Sequence, residues 1–519
     1  MTIPNATLLV AALVGLVLCI FARRKKGPYA SLPLPPGPKG LPLIGNLLHL
    51  PKESQWEAYH KWCKDLDTDI LYLNFAGTDV IVLDSSEAAN ELLERRSSIY
   101  SGRARFLMLN ELMGWKFSFG FMEYGEQWRK RRRAMHLEFH PTAAAQFKPH
   151  SLRAARNLLN RILDSPEDVM GNLRYAAGET IIAAAYGLNI ESKDDPYISL
   201  AKEAMHTLEI ASIPGAFLVD DIPILKYIPD WFPGAGFKRN AKDWKKLALT
   251  MREKPFEAAK KNIAAGAPIP SFVSTSLKRM QEGSKGETLT EDIIRDVAAV
   301  LYGAGTDTTL SAMAWCILGL LERPDVLLKA QAEIDRVVKP GHLPDFDDES
   351  SLPYIAAIVK EALRWYDVVP TALPHRLEVE DEYKGYRLPA GSLIVPNAWA
   401  MLHDETIYPD PFTFNPDRFM KDGKFNPDIR DPEHACWGFG RRICMGRYMA
   451  LSSIWINIAS IIAAFDIKKA VDANGNVIHP THEYVSALVR LPLPFRCSIT
   501  PRSKEMEDLI RSSANEDVF

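Results

Sequence analysis

The chain has little cysteine and pairs none of it. Its 519 residues include six, Cys19, Cys63, Cys316, Cys436, Cys444 and Cys497, and no two form a Cys-x-x-Cys unit. That spacing offers neither a zinc site nor a disulfide framework, as expected in a reducing compartment. A surplus of one charge is missing as well. The 62 Lys and Arg stand against 65 Asp and Glu, a net charge of −3, so no nucleic-acid partner is expected. No Gly-x-Gly-x-x-Gly stands at a strand–helix junction, which leaves the chain without a flavin or nicotinamide fingerprint of its own. Internal repeats and long low-complexity tracts are absent too.

Apolar residues make up 47% of the chain, enough for a large core. Residues 6–22 carry no charge, and with residues 3–5 they reach about the 20 residues that span a bilayer. Arg23, Arg24, Lys25 and Lys26 follow directly. A cleaved signal peptide has its basic residues before the apolar run. The order here predicts an uncleaved anchor over residues 1–26, with the N-terminus lumenal and the rest cytoplasmic. Asn5-Ala6-Thr7, the only N-x-S/T sequon, is then lumenal, either a glycosylation site at Asn5 or a chance match.

Residues 27–46 are rich in proline and predict a stiff, extended hinge. Residues 69–83 read as a hairpin turning at Gly77-Thr78. Apolar residues at three- and four-residue spacing predict helices over most of the chain to about 370. Strands are expected again over 376–398, with turns at Gly385 and at 389–391. Length alone suggests about three domains. The motifs described next favour one large domain over 47–519, mainly α with small β-sheets.

Chemistry concentrates near the C-terminus. Trp437-Gly-Phe-Gly440-Arg-Arg442-Ile-Cys444-Met-Gly446 places one thiol among glycines, after two arginines. Glycines allow close approach to a flat cofactor. Backbone N–H groups and guanidinium charge are expected to lower the thiol's pKa, so that it persists as a ligand anion. Ala304-Gly-Thr-Asp307-Thr308-Thr falls inside a helix expected over 292–322. A helix-interior glycine costs about 1 kcal/mol, and neighbouring threonines can bond back to carbonyls and bend the helix. A strained groove that admits a diatomic molecule is the expectation there, and an acid beside an alcohol suits proton delivery. Glu361-x-x-Arg364 puts opposite charges on one helix face, with Arg418 downstream in a proline-rich segment. Trp128 and Arg132 stand one helical turn apart. His375 precedes Arg376.

Together these motifs resemble those of the cytochrome P450 superfamily, whose cysteine signature is matched by Gly440, Arg442, Cys444 and Gly446, with Trp437 in place of the usual Phe. The likeness is to fungal membrane-bound members that tailor secondary metabolites. It implies the cytochrome P450 fold, haem b with an axial thiolate from Cys444, and monooxygenase activity. It also implies that Thr308 hydrogen-bonds at the oxygen site while Asp307 relays protons. By the same resemblance Trp128, Arg132, Arg442 and either His375 or Arg376 contact the haem propionates. Glu361, Arg364 and Arg418 then serve fold and haem retention. Electrons are expected from NADPH through a flavin-containing NADPH–cytochrome P450 reductase, with cytochrome b5 as an alternative donor. Lys130, Arg131 and Arg133 are expected to form part of the docking face. Phe106, Leu109, Met113 and Phe117 are pocket candidates, and residues 211–234 a substrate channel or membrane contact. The implied protein is a monomer with a single pass in the endoplasmic reticulum membrane and a small apolar organic substrate. A haem-thiolate isomerase or dehydratase, and a non-catalytic haem-binding protein, remain as alternatives.

Overall fold

The computed structural model describes residues 28–190, 195–213, 215–266, 268–283 and 289–513. The expected anchor, residues 1–26 with Asn5, lies outside the described residues. The described chain is mainly helical with small sheets. It gathers into two units, residues 28–102 with 374–397, and residues 103–373 with 398–513.

The first unit is built on the expected hairpin. Strand β1 (Ile70–Phe75) pairs antiparallel with β2 (Thr78–Leu83), from Ile70↔Leu83 to Phe75↔Thr78. The turn is Ala76-Gly77, with φ of 47° and 104°, one residue earlier than expected. Positive φ at both positions gives the twist that a two-residue hairpin turn needs. Alternation along the strands buries Leu71, Leu73, Val80 and Val82 beside Tyr59 and Cys63 of helix α1 (Gln55–Asp65). Strands β3 (His375–Arg376), β4 (Asp381–Tyr383), β5 (Tyr386–Leu388) and β6 (Leu393–Pro396) occupy the second predicted strand region. β6 pairs parallel with β2 and antiparallel with β3. The proline-rich stretch lies along β1: Tyr72 N donates to Pro36 O at 2.8 Å, and Asn74 N to Asn46 Oδ1 at 2.9 Å.

The second unit is helical. Its helices include α2 (Glu126–Phe139), α3 (Lys148–Asp164), α4 (Val169–Tyr186), α5 (Pro196–Ser212), α6 (Gly236–Ala264), α7 (Glu291–Glu322), α8 (Pro353–Trp365) and α9 (Arg447–Ala464). The α7 helix begins one residue before its predicted start. Thr290 accepts from Ile293 N, and Glu291 and Asp292 fill the first turn, where acids favour the positive helix end. Beyond that turn α7 is apolar nearly all round, the pattern of a helix enclosed by others. α9 is long and apolar enough to cross a membrane by composition, but 72% of it is buried, as a core helix is. Asp296, 2% exposed, ties three helices. Its carboxylate accepts from Arg131 of α2 at 2.6 Å and from Arg252 of α6 at 2.7 Å.

The interior glycine of α7 has a packing cause. A Cβ on Gly305 would lie 2.7 Å from Ile181 Cγ1 of α4. Glycine here leaves room for the close approach of the Ile181 side chain. Gly305→Ala is expected to destabilise the fold by about 1–3 kcal/mol through overpacking. Adding Ile181→Ala should recover part of that loss, because contacting sites couple. Thermal unfolding of the single and double variants measures both.

Candidate active site

The segment before α9 forms a closed loop. Cys444 N donates to Trp437 O at 2.8 Å. Gly438 and Gly440 take φ of 74° and 57°, left-handed values that disfavour a side chain. A 3₁₀ turn, Gly440–Arg442, carries the chain to Cys444. Cys444 therefore precedes the N-terminus of α9, and N–H groups of Gly446 and Arg447 reach its thiol.

The charge at the thiol differs from expectation. Burial pushes the Cys444 thiol up. The Gly446 N–H, the Arg132 and Arg447 guanidinium groups and the Arg447 N–H oppose that rise without overcoming it. Desolvation of an anion thus outweighs the cationic surroundings. The side chain nevertheless keeps accessible surface. The two arginines before the cysteine face elsewhere. Arg441 bonds the Tyr124 hydroxyl. Arg442 donates to Phe119 O at 3.1 Å and Met122 O at 2.8 Å, with its guanidinium 4.6 Å from the Trp128 ring centroid.

Trp128 is buried on α2, and Arg132, one turn on, stands 5.7 Å from the same ring. Burial pushes the Arg132 guanidinium down to about 10, Cys444 opposes that shift, and Arg447 adds to it. A third guanidinium joins them. Arg103, 5% exposed, donates to Gly120 O at 3.0 Å and Leu373 O at 2.6 Å. Burial, then the charges of Arg442 and Arg132, hold it well below the usual arginine range. Sequence reasoning assigned Arg103 no role, because one arginine at the end of a two-residue strand, Gly102–Arg103, shows no spacing signal.

The α7 motif forms its back-bonds. Thr308 Oγ1 donates to Ala304 O at 2.7 Å and Thr306 Oγ1 to Tyr302 O at 3.3 Å, while the helix continues unbroken. Ala304 is exposed within this otherwise enclosed helix, and Gly305, Asp307 and Thr308 are partly exposed. Asp307 forms an ion pair with Arg174 of α4, a partner 133 residues away that no local pattern indicates.

The other expected residues divide between the units. His375 belongs to the first, buried on β3 with Nδ1 2.8 Å from Tyr100 O. Strand alternation turns its neighbour Arg376 to the opposite face. Glu361, Arg364 and Arg418 meet in the second unit. The Glu361 carboxylate accepts from Arg364 Nε at 2.8 Å, and Arg418 Nε lies 3.2 Å from it. Leu109 and Met113 have no exposed surface and pack in the core. Of the three basic residues expected on the docking face, Arg133 is exposed. Lys130 pairs with Glu126, and Arg131 turns inward to Asp296.

Glu361→Ala leaves two guanidinium groups buried without their carboxylate, an expected loss of about 3–5 kcal/mol. Glu361→Asp should lose less, since it keeps the charge but shortens its reach. The yield of folded protein and its unfolding midpoint check the order.

A family model described as cytochrome P450 matches residues 35–497. A cytochrome P450 monooxygenase of Postia placenta is 45% identical over 98% of this chain and 98% of its own length. A tryptamine 4-monooxygenase of Psilocybe cyanescens is 41% identical over 96% of this chain and 99% of its own. A cytochrome P450 monooxygenase of Rhodocybe pseudopiperita is 42% identical over 96% and 95%. With a model that spans most of the chain and relatives that match it nearly end to end, this chain belongs to the cytochrome P450 family and is a haem-thiolate monooxygenase.

Proposed function

We propose that Cys444 is the axial ligand of haem b. We further propose that the chain inserts one oxygen atom from O2 into a small, mostly apolar organic substrate of fungal secondary metabolism. The observation that carries this reading is the Cys444 thiol itself, accessible yet set among backbone N–H groups and within reach of Arg132. The residues present fit the group. A soft thiol with N–H groups at its sulfur suits iron. Arg103, Arg132 and Arg442 concentrate buried positive charge, which suits the two carboxylates of the macrocycle. A propionate contact from His375, with Arg376 as the alternative, is proposed on the family resemblance alone.

Haem, when bound, supplies the oxygen activation. The chain supplies the remainder. Arg103, Arg132 and Arg442 hold the carboxylates, and Trp128 keeps two of these guanidinium groups in place through its ring. Thr308 holds a hydroxyl at the accessible face of α7, and Asp307 beside it moves protons. The reaction is RH + O2 + NADPH + H⁺ → ROH + H2O + NADP⁺ for a hydroxylation; epoxidation has the same electron balance. The electrons enter from a separate NADPH–cytochrome P450 reductase, with cytochrome b5 as a second donor. Exposed Arg129, Arg133 and Arg441 form the basic face for that acidic partner.

An apolar substrate is supported by Phe119 and Phe121, each with residual exposure, which join the same cluster as Leu301 of α7. Terpenoids, aromatic polyketides and indoles are the candidate classes. Membrane contact is supported by Ile224, Tyr227 and Trp231, 72%, 75% and 79% exposed, in a segment broken into short turns after α5. With the anchor expected over residues 1–26 and the hinge over 27–46, these exposed residues support a position on the endoplasmic reticulum membrane with the catalytic part cytoplasmic.

The carbon monoxide difference spectrum of reduced membranes that hold the full-length chain tests the ligand. A strongly red-shifted Soret band is expected, and Cys444→Ala should abolish it. A band that survives the substitution assigns the ligand to another residue. Supplying terpenoid, polyketide and indole precursors to a host with the reductase, and identifying the oxidised product, tests the substrate class.

A further inference from the structure

Helix α2 ends on two histidines that share an outer face. In the run His136-Leu-Glu-Phe-His140, His136 is exposed and His140 half-buried. Residues four apart are neighbours on a helix. His140 caps α2, yet its φ is −69°, a helical value, and its N–H donates to His136 O at 3.1 Å. Its Cβ therefore leaves the backbone as it would from a helical residue, and its ψ of 163° turns the chain away only after that point. The two imidazole rings lie with centroids 5.7 Å apart and planes at 44°.

The residues between them point inward and hold the helix end. The Glu138 carboxylate accepts from Arg279 at 2.8 Å and from Gln146 at 3.1 Å. The Phe139 ring stacks on Phe147 at 4.8 Å and meets Phe272 at 6.2 Å. Beyond the helix, His140 O accepts from Ala144 N at 2.9 Å. The backbone of the pair is thus fixed on both sides, while the rings keep their access to solvent.

We propose that His136 and His140 chelate one late divalent transition ion, Zn²⁺ or Cu²⁺, on the outer face of α2. Metal bonds of about 2 Å to imidazole nitrogen in a tetrahedral arrangement place two ring centroids about 5 Å apart. Small side-chain rotations from the observed 5.7 Å reach that geometry. Imidazole nitrogen suits these ions, whereas Mg²⁺ and Ca²⁺ take oxygen. Among the described residues no third histidine, cysteine or carboxylate completes a cluster with the pair, so water fills the remaining positions. Arg133, exposed one turn before His136, repels a cation. The ion is therefore held by its bonds to nitrogen and not by local charge. It takes no part in the oxygen chemistry proposed above, and its effect is to crosslink the last turn of α2.

The test uses the full-length haem-loaded protein near neutral pH, with Zn²⁺ alone as the probe. Titration calorimetry should find a Zn²⁺ site that an excess of Mg²⁺ leaves in place. His136→Ala and His140→Ala should each weaken it by about 100-fold, the loss of an intramolecular second ligand. Zinc K-edge absorption should show nitrogen and oxygen neighbours at about 2.0 Å and no sulfur at about 2.3 Å, the distances that separate histidine from cysteine ligands. Bound Zn²⁺ should raise the thermal midpoint of the native protein, because a ligand held only by the folded state stabilises it. The same addition should leave the midpoint of His136→Ala unmoved. Far-ultraviolet circular dichroism, expected unchanged in both variants, reports that each is folded. Affinity retained in both variants places the ion elsewhere and overturns the proposal. A sulfur neighbour, an equal thermal shift in His136→Ala, or the lack of a Zn²⁺ site in the native protein overturns it as well.

Discussion

Burial of charge is the constraint on which the second unit depends, and Glu361 is its clearest case. This carboxylate has no exposed surface, and Arg364 beside it has none either. It accepts from Arg364 and Arg418 and from Asn415 N at 2.8 Å. The two guanidinium groups then reach outward. Arg364 donates to Leu402 O and Pro411 O, and Arg418 to Pro409 O at 2.6 Å. Most of the segment from 409 to 418 forms neither helix nor strand, so its carbonyls take their partners from this cluster. A buried ion cluster of this kind adds little net stability over an apolar replacement. Its physical role is to give a proline-rich segment one path where the backbone supplies no ladder.

The same rule governs α7. The charges along α7 are paired: Arg295 with Glu291 and with Glu253 of α6, Asp296 with Arg131 and Arg252, and Asp307 with Arg174. An unpaired acid at the depth of Asp296 would bear a large desolvation penalty. The two acids face different circumstances. Asp296 is 3% exposed in its side chain and held by two guanidinium groups, while Asp307 is 17% exposed and held by one. The first is locked. The second retains solvent access and a single ionic tether.

The elements legible in the sequence were those specified by nearby residues. The α7 helix, the hairpin of β1 and β2 and the loop around Cys444 follow from periodicity, turn chemistry and glycine spacing, all short-range signals. The shift of the hairpin turn to Ala76-Gly77 came from the non-glycine residue that accepts positive φ, which composition does not reveal. Partners across the core were not legible. Arg174 for Asp307, Asp296 for Arg131 and the carbonyls held by Arg103 are fixed by how distant helices pack. Gly305 illustrates the limit: the sequence marks it as unusual, but only the structure shows how closely Ile181 approaches it.

The thiol shows why local motif reading fell short at the site itself. Two arginines next to a cysteine suggest a thiolate stabilised from within its own loop, yet the guanidinium charges that act on Cys444 belong to Arg132, some 300 residues earlier in the chain, and to Arg447 after it. The influence is mutual. Burial pushes the Arg132 guanidinium down and the Cys444 thiol up, and each group opposes the other's shift. Neither opposition overcomes burial. Since burial still dominates at the sulfur, the protein alone does not hold a free anion there. An electropositive metal that replaces the thiol proton removes that penalty, which couples metal attachment to proton release. The Trp128–Arg132 pair and the cysteine loop, distant in sequence, are on this account two halves of one electrostatic device.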